Sequence, residues 1–447
     1  MFNKHKRNMI KNSEKKGLLK IVLFMYVLFP FRINFMASIQ AYSLYVLEIV
    51  LFCLFLSELY YNNIQKKLIY PLLCFLLLFL LLSFLALFLP IIRNTDDMTY
   101  IVRYFTFFKK MIAILGIAHL CENLSDFVKL FLITTTIYVM CTIILLIPSF
   151  HSAYSNIVMI QEASQSSAHM QSTRYYTRFG LQGLSGLGWS FRCTFSVGLC
   201  CCEYILKKFK LSNHEIIVYG AMNLLGTIFY ARTGTIVALA CIILTACFQL
   251  VIQRRPYLFI SLSMSVLVCV VVFLCNIEHI QENPSLSWIF EGVISLVQTG
   301  KFETASSTYI IDKMFVKIPM DTFFFGDARY STSSGLYYMG TDLGIIRPLL
   351  FWGIGGQIIY YAMPLVLLFP IKKCLNSKYS NFFFGIMTLI LIGFELKGEI
   401  NFEFCTVLLC MYLALIRGTF SKKMYLKMKK GYRYIENKHN KVMEGGI

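Results

Sequence analysis

The stretch Leu68–Ile92, LIYPLLCFLLLFLLLSFLALFLPII, decides the fold class. Its 25 residues carry no charged side chain. At a helical rise of ~1.5 Å per residue they outreach the ~30 Å hydrocarbon core of a bilayer. Backbone N–H and C=O groups find no partners in hydrocarbon, so such a segment must close its own hydrogen bonds as an α-helix. The same pattern recurs on both sides of it. Apolar runs place membrane-spanning helices near 18–36, 40–61, 68–92, 104–121, 125–149, 187–206, 214–231, 233–253, 256–276, 345–370, 382–396 and 402–417. The expected fold is an all-α polytopic membrane protein of about 12 transmembrane helices.

Composition points the same way, with 57% of the 447 residues hydrophobic and 15% charged, outside the range of soluble globular domains. The net charge of +19 is carried mostly by the amino end, the short loops and the tail. Anionic headgroups and the insertion rule account for charge so placed. No basic stripe alternates with aromatics on a soluble domain, so nucleic acid is not an expected partner. Most of the fifteen cysteines, including Cys200-Cys201-Cys202, fall inside apolar runs and none lies in a long polar stretch. That excludes a disulfide framework there. With no CxxC spacing, no metal and no cofactor are expected.

Two long polar stretches interrupt the spans. The chain divides into five spans over 1–149, a first polar loop over 150–186, four spans over 187–276, a second polar loop over 277–344, three spans over 345–417 and a basic tail over 418–447. In the second loop Asn283-Pro284 supply an N-cap and a first-turn proline, and apolar residues recur at helical spacing up to Gly300, which predicts an amphipathic helix. The basic amino end runs into its apolar stretch without a small-residue cleavage site, so it reads as an uncleaved first span. Placing that end, Lys66-Lys67, Lys207-Lys208-Lys210, Arg254-Arg255, Lys372-Lys373-Lys378 and the tail on the cytoplasmic side puts both termini there and both polar loops on the outer face. Lys109-Lys110 break the pattern. They read as the outer edge of a fourth span that starts late, or as a basic rim for an anionic lipid head. The acidic hairpin Glu395, Lys397, Glu399 and Glu403 reads as solvating an outer turn, and Glu48 and Glu203 as lying toward helix ends.

The outer face is biased toward arginine: Arg174, Arg178, Arg192, Arg232, Arg329 and Arg347. Guanidinium keeps its charge when partly desolvated and grips phosphate oxygens through two parallel N–H groups, so this bias suits a diphosphate ligand. Arg174 and Arg178 are four apart with aromatics between them, and share a face if helical. Gly183, Gly186 and Gly188 follow, a spacing that allows close backbone approach. Arg232 occupies a very tight turn between two spans. The third cluster runs from Gly326-Asp327-Ala328-Arg329 to Gly340-Thr341-Asp342 and Arg347. Beside Arg347, Asp342 reads either as a base that takes a proton from a hydroxyl nucleophile or as a cap of the tenth span.

These clusters, in this order and topology, resemble the Wzy-type O-antigen polymerase family and, more distantly, the O-antigen ligases. An arginine and a glycine separated by ten residues is one of that family's loop patterns, and Arg329 with Gly340 fits it. Ser185 and Trp189 stand where glycine would follow Arg174 and Arg178. The ligases carry His-Asn where this chain has Thr341-Asp342, which argues against ligase. The resemblance implies an inverting, metal-independent glycosyltransferase of the bacterial inner membrane, with two large periplasmic loops. It would join undecaprenyl-pyrophosphate-linked oligosaccharide repeat units, using Asp342 as base and Arg174, Arg178, Arg232, Arg329 and Arg347 to bind pyrophosphate. Membrane lipids and a chain-length regulator protein are the further partners it suggests. Ligation of finished glycan and transport of lipid-linked sugars are the rival activities. Reporter fusions should place 150–186 and 277–344 on the same, periplasmic side and both termini in the cytoplasm; cytosolic or opposite-sided loops would overturn this topology.

Overall fold

Apolar side chains without nearby polar competitors leave the backbone only its own helix to bond to. The computed structural model shows the result over residues 17–26, 37–61, 66–157, 179–181, 183–184, 186–257, 260, 263–264, 271, 273–332, 336–375 and 377–419, the residues described here. In chain order the helices are α1 (Gly17–Tyr26), α2 (Ala37–Tyr61), α3 (Lys66–Arg93), α4 (Thr99–Leu120), α5 (Leu124–Leu145) and α6 (Pro148–Ile157). After a two-residue hairpin, β1 (Phe179–Gly180) and β2 (Gly183–Leu184), come α7 (Leu187–Leu206), α8 (Asn213–Tyr230) and α9 (Arg232–Val251). The second polar stretch holds α10 (Ile277–Glu282), α11 (Pro284–Thr299), α12 (Ala305–Tyr309) and α13 (Met320–Phe325). The chain then returns through α14 (Arg347–Cys374), α15 (Ser380–Glu395) and α16 (Asn401–Thr419). Among the described residues five helices are long and apolar enough to cross a membrane: Ile69–Arg93 of α3, α5, α9, α14 and α16. The protein is therefore a helical membrane protein. The expected ninth span and the end of the first lie largely outside the described residues, as do Arg174 and Arg178.

Contacts at the helix ends fix relative directions. Helices α4 and α16 run parallel, because Arg103 bonds Glu399 just before α16 starts while Arg417 Nη1 donates to the Cys121 carbonyl at the far end, 3.1 Å. Helices α5 and α8 are parallel too, joined by Lys129–Glu215 near one end and by the Thr142 and Tyr230 hydroxyls, 2.6 Å apart, near the other. Likewise α7 and α9: Thr194 Oγ1 donates to Gly234 O, and Gln249 Nε2 to Tyr204 Oη, both at 3.1 Å. The end of α3 meets the segment before α14, where Thr95 Oγ1 donates to Ala328 O at 2.8 Å. Alternating crossings account for all of these pairings. One end of the bundle collects residues 93–103, 187–194, 230–234, 326–347 and 395–403. The opposite end collects Lys20 with Glu122 and Asp126, and the contact of Ser125 with Lys208.

Several boundaries differ from the sequence expectation, each for a local reason. Helix α4 begins at Thr99, so Lys109 and Lys110 sit well inside it rather than at a late start; Lys110 bonds Glu403 of α16. Helix α5 stops at Leu145 because Pro148, lacking an N–H, opens a new helix. Glu203 closes α7, taking the N–H groups of Phe209 (2.6 Å) and Leu211 (3.0 Å), whereas Glu48 stands in the middle of α2 and not near an end.

The largest departure is in α14, which is broken at Gly353 (φ 68°, ψ −175°). Only glycine reaches that conformation without strain. The break frees the carbonyls of Leu350 and Phe351, which accept from the N–H groups of Asp327 (2.7 Å) and Ala328 (3.1 Å). Gly326, also at positive φ, lies backbone to backbone against this turn: a Cβ on it would run into Phe351 and Gly353, and one on Gly353 into Phe324. The short segment Arg347–Trp352 is thereby locked to the chain after α13. Gly353→Ala should lower stability by at least ~1–3 kcal/mol through backbone conformation alone, read as a fall in the thermal midpoint in detergent.

Candidate functional site

The bundle end that gathers the polar segments is organised around a carboxylate in the turn between α15 and α16. The Glu399 side chain is 1% exposed. A buried carboxylate must be hydrogen-bonded or paired, and this one is both. It accepts from the Tyr100 hydroxyl and from Arg103 Nη1, both on α4, and from the Tyr330 hydroxyl at 3.0 Å. Arg347 Nη1 stands 3.7 Å away.

Arg347, the first residue of α14, is 7% exposed. Its guanidinium carbon lies 3.4 Å from the Tyr330 ring centroid and 4.2 Å from that of Tyr337. Aromatic faces offset part of the cost of taking a cation out of water. The Nη1 corner faces Glu399, while Nε and Nη2 are buried with no hydrogen-bond partner among the described residues. Those two nitrogens form the edge of the fork that grips two oxygens of a phosphate or carboxylate.

Tyr330 is fixed from both ends. Its N–H donates to Asp97 Oδ2 at 2.7 Å, as does that of Ser331 at 2.8 Å. Arg103 lies 4.8 Å from its ring centroid. Ser331 pairs with Tyr337 across an antiparallel bridge, which brings a second ring, perpendicular to that of Tyr330, over Arg347. Burial pushes the Asp97 carboxyl up, but hydrogen bonds from Thr99, Ser331 and Tyr330 outweigh it and hold the group below the ordinary carboxylate range.

Asp342 lies on the loop that packs against the 395–400 turn. There Ile345 N–H donates to Glu395 O at 3.0 Å, and a Cβ on Gly344 would strike Glu395 and Gly398. Asp342 does not pair with Arg347, whose carboxylate neighbour is Glu399. Nor does it cap α14, where Ile346 holds the cap position without a side-chain bond. Its Oδ1 is buried and has no hydrogen-bond partner among the described residues.

The remaining candidates scatter around this centre. Arg329 is exposed, 5.9 Å from the Tyr338 ring centroid, and Tyr338 donates its hydroxyl to Asp327 at 3.0 Å. Gly340 turns the chain at φ 71° with open space about it. Arg232 bonds Glu291 of α11, whose other oxygen takes the Ala305 N–H at 2.7 Å. Arg192 donates to Glu403 at 3.0 Å and lies over the Trp189 ring. Arg347 thus joins Arg103 and Glu399, while Arg232 and Arg329 have other partners. Gly186 and Gly188 have no neighbour within Cβ reach; the close approach is made by Gly180 against the Tyr138 ring.

The acidic hairpin is a correction. Instead of solvating a turn, Glu395 takes the N–H groups of Ile400 and Asn401 (2.8 Å each) and the Tyr361 hydroxyl (2.9 Å), Glu399 anchors the cluster, and Glu403 binds Lys110 and Arg192. Sequence reasoning missed Asp97, Tyr100, Arg103 and Glu399. The available signal was three acids at four-residue spacing leading into an apolar span, with unexplained basic residues in the fourth span as their counterpart. Among the described residues no three His, Cys, Asp or Glu side chains gather to hold a metal ion. The chain matches no protein-family model, no curated protein and no solved structure.

The sign of the Asp97 effect follows from its lowered folded-state value. Its tether is fully present above the ordinary aspartate range of about 4 and is lost as pH falls through the lower folded value. Limited proteolysis of the 326–343 segment should be flat from neutral pH to about 4 and rise below it, whereas Asp97→Asn should be cut faster than wild type at neutral pH and converge with it at the acid end.

Proposed function

We propose that this protein is an O-antigen polymerase of the bacterial inner membrane, acting at the periplasmic face on undecaprenyl-pyrophosphate-linked repeat units. The observation that carries the reading is the buried Arg347 guanidinium, held against the rings of Tyr330 and Tyr337 with no partner among the described residues on its Nε and Nη2 edge. The arginine bias of that end and the lysine-rich opposite end support the outward orientation, both termini inside, and the count of about 12 spans.

The chemistry this assigns is a displacement at the anomeric carbon of the donor, the growing glycan on its lipid diphosphate. A hydroxyl of the incoming unit forms the new C–O bond. The bond from the anomeric carbon to the diphosphate oxygen breaks, and its electron pair leaves with the diphosphate. Asp342, whose Oδ1 has no other partner, takes the hydroxyl proton. Arg347 meets the charge that develops on the leaving oxygens, where fixed cations are most effective. Arg329 at the rim, Arg232 once released from Glu291, and Arg174 and Arg178 of the first loop complete the anion-binding set. Exposed Tyr337 is a sugar-stacking surface.

One observation favours a second reading, transport of lipid-linked sugar: Glu48 stands mid-helix in α2, and acids at that depth commonly mark transport pathways. A deletion strain separates the activities. Loss of a polymerase leaves single repeat units on the lipid A core, loss of a ligase leaves none, and loss of a transporter accumulates cytoplasmic-face intermediates. In the complemented deletion, Arg347→Ala and Asp342→Asn should each reduce long polymer by ~100-fold or more. Arg347→Lys should not restore it, because an ammonium offers no two-nitrogen edge. Full-length polymer from Arg347→Ala at normal protein level would remove this reading.

A further inference from the structure

We infer that Glu399 is a positioning residue that sets the orientation of the Arg347 guanidinium, an assignment that rests on the reading of Arg347 as the ligand of the leaving diphosphate. Two restraints define how that guanidinium is held. The rings of Tyr330 and Tyr337, perpendicular to each other, hold its carbon at 3.4 and 4.2 Å from their centroids. Ring contact alone positions the carbon without choosing which nitrogens face which way. Glu399, 3.7 Å from Nη1, pairs with one corner and makes that choice. The same carboxylate takes the Tyr330 hydroxyl at 3.0 Å, so it also holds one of the two rings against Arg347. Nε and Nη2 are the nitrogens left unpartnered. One acid therefore both orients the fork and leaves its other edge, Nε and Nη2, uncommitted.

Charge supports the same assignment. Arg103, Arg347 and Glu399 together carry one net positive charge, since two guanidiniums are offset by one carboxylate. A second carboxylate on Arg347 would cancel that charge and occupy the fork. The observed arrangement leaves an anion-attracting group whose geometry is set before ligand arrives, the condition under which electrostatic stabilisation adds no reorganisation cost. Because the leaving charge grows only as the glycosidic bond breaks, while several arginines share ground-state binding, misorienting Arg347 should act on turnover more than on donor affinity.

A purely structural alternative is that Glu399 is present only to neutralise buried Arg103, and the double variant Glu399→Gln/Arg103→Gln separates the two. It restores the net charge of the cluster while leaving Arg347 without its anchor. The full-length protein in nanodiscs would be assayed for kcat and for donor KM with lipid-linked repeat units, alongside thermal stability. Expected for Glu399→Gln is a fall in kcat of ~100-fold with KM changed less than about threefold. The double variant should regain thermal stability but not kcat, and Glu399→Asp should recover part of it. Recovery of wild-type kcat in the double variant, or wild-type kcat in Glu399→Gln, would overturn the positioning role. Wild-type turnover by Arg347→Ala would instead remove the diphosphate reading beneath it, so the two failures are distinguishable.

Discussion

An isolated charge in hydrocarbon costs several kcal/mol, and this chain places three acids where its last crossing begins. That constraint organises this end of the bundle. Glu395 is satisfied locally by the first N–H groups of α16 and by Tyr361. Glu399 and Glu403 have no such local solution. They draw in Arg103, Lys110, Arg192 and Arg347, residues from three other helices distant in sequence. The apolar packing of the spans is nonspecific about register; these ion pairs set how α4, α7 and α14 dock against α16.

The polar loops inherit their shape from the same cluster. Tyr330 reaches Glu399 only because Asp97 pins its backbone, and Asp97 lies in the five-residue link that turns α3 into α4. Gly326 and Gly353 bring two backbones together and deliver Arg347 to the top of its helix. The candidate site is thus assembled from links between spans rather than from any contiguous motif.

How much of this could be read from the residues depends on the length scale of the physics. Span positions follow from runs of apolar side chains, a local property, and α3, α7 and α15 begin and end within a few residues of the expected places. Arg347 and Asp342 were legible as candidates because charge at a helix start is locally conspicuous. The partner of Arg347 was not. The carboxylate beside Arg347 is 52 residues on by subtraction of 347 from 399, and only the docking of α16 decides that Glu399 and not Asp342 fills the place. The break in α14 was hidden for a similar reason: Gly353 lies in a glycine-rich run, and what selects it is the backbone of Gly326 pressed against it.

That break also resolves an apparent excess of length. At 28 residues α14 would overshoot an average bilayer and have to tilt strongly or thicken it. The portion after Gly353, Ile354 to Cys374, is 21 residues by subtraction of 353 from 374, or ~32 Å at ~1.5 Å per residue, close to the thickness of the hydrocarbon slab. A near-upright crossing therefore suffices, and the surplus six residues, Arg347–Trp352, are left over as a short, separately oriented segment that the glycine break sets apart from the crossing.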